Sequence, residues 1–134
     1  MPAGSGPSVS TPVTTGSITG TANAFTLTSP TCNFNELGGV LVTATLFWTP
    51  SATQTITAKL YQVSTSGTQV NPSAGLVATG TGTTGADATF TWVDTSAFAQ
   101  ATQGAVYVVG FTASTGTGTV VYGFIEVETI APVQ

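Results

Sequence analysis

AVYVVGFTASTGTGTVVYGFIEVET, residues 105–129, is the stretch whose reading decides the fold. Two β-rich runs, 105–113 and 119–129, flank a Ser-Thr-Gly-Thr-Gly connection with glycines at 116 and 118. β-Branched and aromatic residues crowd both runs, and glycine supplies the positive φ that hairpin turns need. The stretch reads as a long β-hairpin with two apolar faces. A two-stranded ribbon cannot bury both faces by itself, so the rest of the domain is expected to cover one and a second copy or a larger assembly the other.

Working outward, the preceding segments alternate in the same way. Residues 40–48 (VLVTATLFW) place Val40, Val42, Ala44, Leu46 and Trp48 on one face, and Leu41, Thr43, Thr45 and Phe47 on the other. The first set is the expected core. After a Thr-Pro-Ser-Ala turn, 54–63 (QTITAKLYQV) turns Ile56, Ala58 and Leu60 one way and Thr57, Lys59 and Tyr61 the other, which predicts a second hairpin. Shorter strands are expected at 24–28, 76–79 and 86–93, the last with Ala88, Phe90 and Trp92 inward. Residues 94–104 read as a crossing loop with one turn of helix, Asp94 capping it and Phe98 plugging the core; 35–37 reads as a short helical turn.

Seven or eight short strands punctuated by Gly and Pro predict an all-β fold, a jelly-roll-like antiparallel β-sandwich with an immunoglobulin-like sandwich as the alternative. The sandwich is expected over residues 23–130, and 131–134 as a tail. Residues 1–22, rich in Pro, Gly, Ser and Thr, read as a flexible arm or one that orders on a neighbouring subunit, with Val9, Val13 and Ile18 as its anchors.

Charge is the compositional outlier. Only 4% of the 134 residues are charged, against about 25% in an average soluble protein. The whole set is Lys59, Glu36, Asp87, Asp94, Glu126 and Glu128. Nucleic-acid binding, which needs clustered cations to neutralise phosphates, is excluded as an expectation, as is a basic membrane anchor. No apolar run is long enough to span a bilayer as a helix. The N-terminal MPAGSGPSVSTPV has neither a positive region nor an apolar run, so synthesis without Sec export is expected. About a fifth of the residues are threonine, a strand former whose hydroxyl solubilises without charge. This is the surface of adhesins, fibres and viral shells.

Catalysis finds few groups to work with. Without histidine, and with Cys32 as the one thiol, neither nucleophilic triads nor a His/Cys zinc site can be built. Cys32 reads as a small buried side chain, with an intermolecular bridge or a reactive thiol as the alternatives. Glu126 and Glu128 share a strand face about 7 Å apart, a spacing like a glycosidase pair. A solvated strand end is the preferred reading, ahead of a cation or subunit contact and well ahead of catalysis. The glycine runs at 80–85 and 116–118 lack the Gly-Lys-Ser/Thr of a phosphate loop. No catalytic, cofactor or metal site is expected.

The aromatics are the remaining candidates. Both tryptophans fall in phase with the core. If Val106, Val108 and Gly110 face inward, Tyr107 and Phe111 face outward, and Tyr122, Phe124 and Phe47 join them as a subunit interface.

The arm, the VLVTATLFWTPSATQTITAKLYQV pair and the final GTVVYGFIEVETI strand together resemble the small β-sandwich decoration or cement proteins of tailed-phage capsids. Phage fibre heads and C1q-like trimeric heads are similar in the same way. The resemblance implies a non-enzymatic homotrimer on the capsid surface, assembled in the host cytoplasm and bound to the major capsid protein or other shell subunits. The near-absence of charge departs from decoration proteins that dock by charge complementarity. A receptor- or glycan-binding head is the alternative function, and a β-sandwich glycan hydrolase the third.

Overall fold

Strands with one apolar face need a second layer to cover it, and the chain supplies that layer itself. A computed structural model describes residues 8–10, 15–30, 40–62, 68–69, 75–94 and 106–129. Their strands are β1 (Ser8–Ser10), β2 (Gly16–Ile18), β3 (Phe25–Thr28), β4 (Val40–Pro50), β5 (Gln54–Gln62), β6 (Thr68–Gln69), β7 (Leu76–Gly80), β8 (Ala86–Asp94), β9 (Tyr107–Ala113) and β10 (Gly118–Thr129). No helix occurs among the described residues. The helical turns expected within 35–37 and 94–104, Phe98, Cys32, Glu36 and the 131–134 tail lie outside them, apart from Asp94.

The pairing has a simple rule. β1 and β2 pair with β10, β3 with β9, β4 with β8, and β5 with β6 and β7, all antiparallel. The first half of the chain thus runs against the second half in reverse order, as one long ribbon. Rolling that ribbon brings β10 beside β4 and β9 beside β5. Sheet A then has the order β1-β10-β4-β8, with β2 also on β10; sheet B has β3-β9-β5-β6, with β7 also on β5. This is the jelly-roll sandwich, two Greek keys closed face to face.

Both expected hairpins are overturned by this topology. β4 and β5 lie in opposite sheets, and so do β9 and β10. Their short connections are corners, and the inner faces of the strands they join meet across the core. Within residues 105–129, then, much of the apolar surface is covered by the chain itself rather than by a second copy.

The core is continuous between the sheets. Val40, Val42, Ala44, Leu46 and Trp48 are fully buried, as are Ile56, Ala58 and Leu60, with Phe90 and Trp92 nearly so. These match the alternation read from the sequence. The parity of β9 is the reverse of the expected one: Tyr107, Val109 and Phe111 are fully buried, and Val108 is half-buried on the other face. Four contacts fix that choice. The Tyr107 hydroxyl donates to Asp94 Oδ2 at 2.9 Å in the interior. Phe111 packs against Phe25 and Phe90, with ring centroids 5.9 and 5.8 Å away. On the outside, Gly110 leaves room for Asn23, whose side-chain atoms occupy the space a Cβ would take.

Asn23 is held there. Its φ is +53°, a left-handed conformation that asparagine tolerates better than most residues. Its backbone N–H donates to Thr112 Oγ1 at 2.9 Å, and Nδ2 donates to the Tyr61 hydroxyl at 3.2 Å.

The segment expected to be a flexible or partner-ordered arm forms in part strands of the sandwich itself. β2 extends sheet A along β10, and Ile18 is fully buried in this chain's own core. Burying such a side chain stabilises by about 2 kcal/mol, so Ile18 is not an anchor for a neighbour. Val9 pairs with Val127 of the same chain. Val13 lies outside the described residues.

Gln54 ties the two corners together. Nearly fully buried, it accepts from Trp48 Nε1 at 3.0 Å and donates through Nε2 to the Thr115 carbonyl at 2.7 Å. Replacing Gln54 with Ala should cost about 2–3 kcal/mol in urea unfolding, because the Trp48 N–H stays buried without its acceptor. Gly110→Ala should cost about 1–3 kcal/mol by overpacking against Asn23. Adding Asn23→Gly should restore most of that loss, and a strictly additive pair of costs would refute the Asn23–Gly110 contact.

Candidate interaction surface

The outer face of sheet A is built by the residues left over once the core is assigned. Register sets them in rows, because residues directly opposite share a face. From β10 through β4 to β8 the rows read Tyr122–Phe47–Asp87, Phe124–Thr45–Thr89, Glu126–Thr43–Thr91 and Glu128–Leu41–Val93. Tyr122, Phe124, Phe47, Thr45, Thr43 and Leu41 are half-buried; Asp87, Thr89, Thr91, Val93 and Glu126 are exposed.

A bulge sets the aromatic end. The register of β10 on β4 shifts between Val120 and Tyr122, so an extra residue, Val121, enters the strand. Val120 therefore points into the core while Tyr122 points out. Uninterrupted alternation would give them the same face. Val121 is left 47% exposed, which widens the apolar rim beside Tyr122. The rings of Phe47 and Tyr122 stack, with centroids 5.9 Å apart and planes 19° from parallel. Phe47 also lies over Gly85, where a Cβ would sit 2.6 Å from its ring.

Of the five aromatics proposed for an interface, sheet A thus gathers three, Phe47, Tyr122 and Phe124. Tyr107 and Phe111 are in the core and cannot serve a neighbour. Glu126 and Glu128 do share the outer face, at the end away from the ring stack, with threonine, leucine and valine between and beside them. No third acid joins them: among the described residues no group of three or more His, Cys, Asp or Glu side chains is placed to hold a metal. Asp94 is buried, Asp87 is exposed, and they lie at opposite ends of β8.

The outer face of sheet B differs. It carries Thr57, Lys59, Tyr61, Val108 and Thr112, with Lys59 exposed, and part of it is covered by the chain's own Asn23. Sequence reading missed this clasp. The available signal was Gly110 inside a strongly apolar strand, since glycine there often marks a close approach.

No protein-family model and no curated protein matches the chain. Among solved structures it is similar to a chain from the structure of infectious bursal disease virus Gx strain, with a TM-score of 0.57 at 15% identity over 98% of this chain and 35% of that one. A chain from the structure of the Gt strain of the same virus aligns with a TM-score of 0.44 at 17% identity, over 93% of this chain and 30% of that one. This chain spans about a third of the length of those neighbours. What it shares with the first of them is the fold, an all-β sandwich.

Proposed function

We propose that the chain is a non-enzymatic structural subunit of a virus particle, a decoration or cement protein on the capsid surface of a bacteriophage, working as a homotrimer bound to the major capsid protein or other shell subunits. One observation carries the reading. The outer face of sheet A presents Phe47, Tyr122, Phe124, Leu41, Val121 and Val93 among threonines, with its carboxylates confined to the two ends. Apolar rings among uncharged hydroxyls suit a contact made by packing and hydrogen bonding rather than by charge. The jelly roll and its likeness to a chain in a virus structure support a shell role, and the sequence resemblance to decoration proteins supports the finer assignment. A cyclic trimer is a heterologous contact, which would seat the ring stack on a different surface of the next subunit.

The experiment is sedimentation equilibrium of the wild type and of Tyr122→Lys with Phe124→Lys. The wild type should associate, and the double variant should lose a threefold factor in mass while melting within about 3 °C of it, as surface changes do. A wild type whose mass is untouched by the two lysines would sink the reading.

A second function is favoured by the near-parallel Phe47–Tyr122 rings, which are the kind of platform a sugar ring stacks on. In a glycan- or receptor-binding head, an array would give saturable hits that Tyr122→Ala abolishes, with association unchanged. An array without hits removes that alternative.

A further inference from the structure

A sandwich has four open edges, and natural sheets blunt such edges by shortness, bulges, proline or lysine. Three of the four are blunted here. The β1/β2 edge is broken into two three-residue pieces. β3 has four residues. The β6/β7 edge is split into pieces of two and five residues, the second ending in Gly80. β8 is the exception. It runs nine residues with no Gly, Pro or Lys and keeps an unbroken nine-pair register with β4. Among the described residues, no strand pairs with its other side and residues 86–92 make no hydrogen bond beyond the ladder with β4.

We propose that β8 is a self-pairing edge: two copies of this chain join antiparallel through residues 86–92 about a two-fold axis at Thr89, fusing their A sheets into one. The side chains fit that register. Thr89 meets its own counterpart, and Asp87 faces the partner's Thr91, whose hydroxyl can donate to the carboxylate. On the inner face the small Ala86 and Ala88, both half-buried, face the partner's Trp92 and the partner's Phe90. Small opposite large on every inner pair is the complementarity that lets two sheets continue as one. The two Asp87 carboxylates end about 14 Å apart along the strands, beyond the screening length of about 8 Å at physiological salt. A single mid-strand acid would repel itself across the axis; these do not. The pairing uses the backbone of β8 and none of the rings, but Asp87 and Thr89 lie in the rows of the ring face, so the edge is tested with the ring contact already removed.

The test is the solution mass of the full chain by sedimentation equilibrium. Thr89 is exposed, so Thr89→Lys leaves the fold intact, which its melting curve checks, while setting two ammonium groups across the axis. Added to Tyr122→Lys with Phe124→Lys, which already removes the ring-stack contact, it should halve the mass, and Thr89→Val, which keeps a β-branched edge, should not. In a Cys32→Ser background, Thr89→Cys should form a disulfide-linked pair on mild oxidation. Equal mass for the Tyr122→Lys, Phe124→Lys variant with and without Thr89→Lys, or no crosslink at Cys-substituted position 89, would overturn the proposal.

Discussion

The fold depends on one buried amide. Gln54 stands at the end of the sandwich where the chain twice passes from one sheet to the other, between β4 and β5 and between β9 and β10. Its oxygen takes the indole N–H of Trp48 from sheet A, and its nitrogen serves the Thr115 carbonyl in the second corner. Around it the corners bind each other. Ser51 N–H donates to the Thr117 carbonyl and Thr117 N–H to Ser51 Oγ; Ser114 N–H donates to the Thr55 carbonyl and Thr55 N–H to Ser114 Oγ. Corner backbone has no ladder to pair with, so these reciprocal bonds replace it. Two glycines make the approach feasible. Gly116 takes φ +62°, and a Cβ on Gly118 would sit 2.6 Å from Gln54 Oε1 and 2.8 Å from the Trp48 ring.

That arrangement explains which parts of the fold were legible in the sequence. β4, β5 and β8 each have one clearly apolar parity, so Trp48, Leu60 and Phe90 were assigned to the core correctly. In β9 both parities are apolar: Val106 and Val108 compete with Tyr107, Val109 and Phe111. Alternation cannot choose between them. The choice is made by partners distant in sequence, Asp94, Phe25, Phe90 and Asn23, which no local window contains. In β10 the pattern is broken by one inserted residue at Val121, and the half of the strand beyond it changes phase. A bulge of this kind is a tertiary decision with weak local marking.

The hairpins failed for a related reason. A three- or four-residue link between two strongly alternating runs scores as a hairpin whether the strands pair side by side or face across a core. Strand length is the better guide. β4 and β10, with eleven and twelve residues, are longer than most hairpin arms, and each pairs along most of its length with a strand remote in sequence. The candidate surface was legible to the same extent as the parity beneath it. Phe47, Tyr122 and Phe124 were placed outward correctly; Tyr107 and Phe111 followed the inverted β9 inward.

Charge, scarce as it is, still orders the possible contacts. Asp87, Glu126 and Glu128 all lie on the outer face of sheet A, whereas Lys59 lies on that of sheet B. Packing face A against face A about a two-fold axis would bring six carboxylates into one layer with no cation to offset them, and desolvating them would cost more than the aromatic contact returns. Face A therefore suits a different surface on its neighbour, as a cyclic ring requires. The β8 edge escapes this restriction, since pairing there proceeds through backbone groups and leaves the carboxylates in water. A heterologous contact through the face would use its rings and hydroxyls, and an isologous contact through the edge would use the backbone of β8.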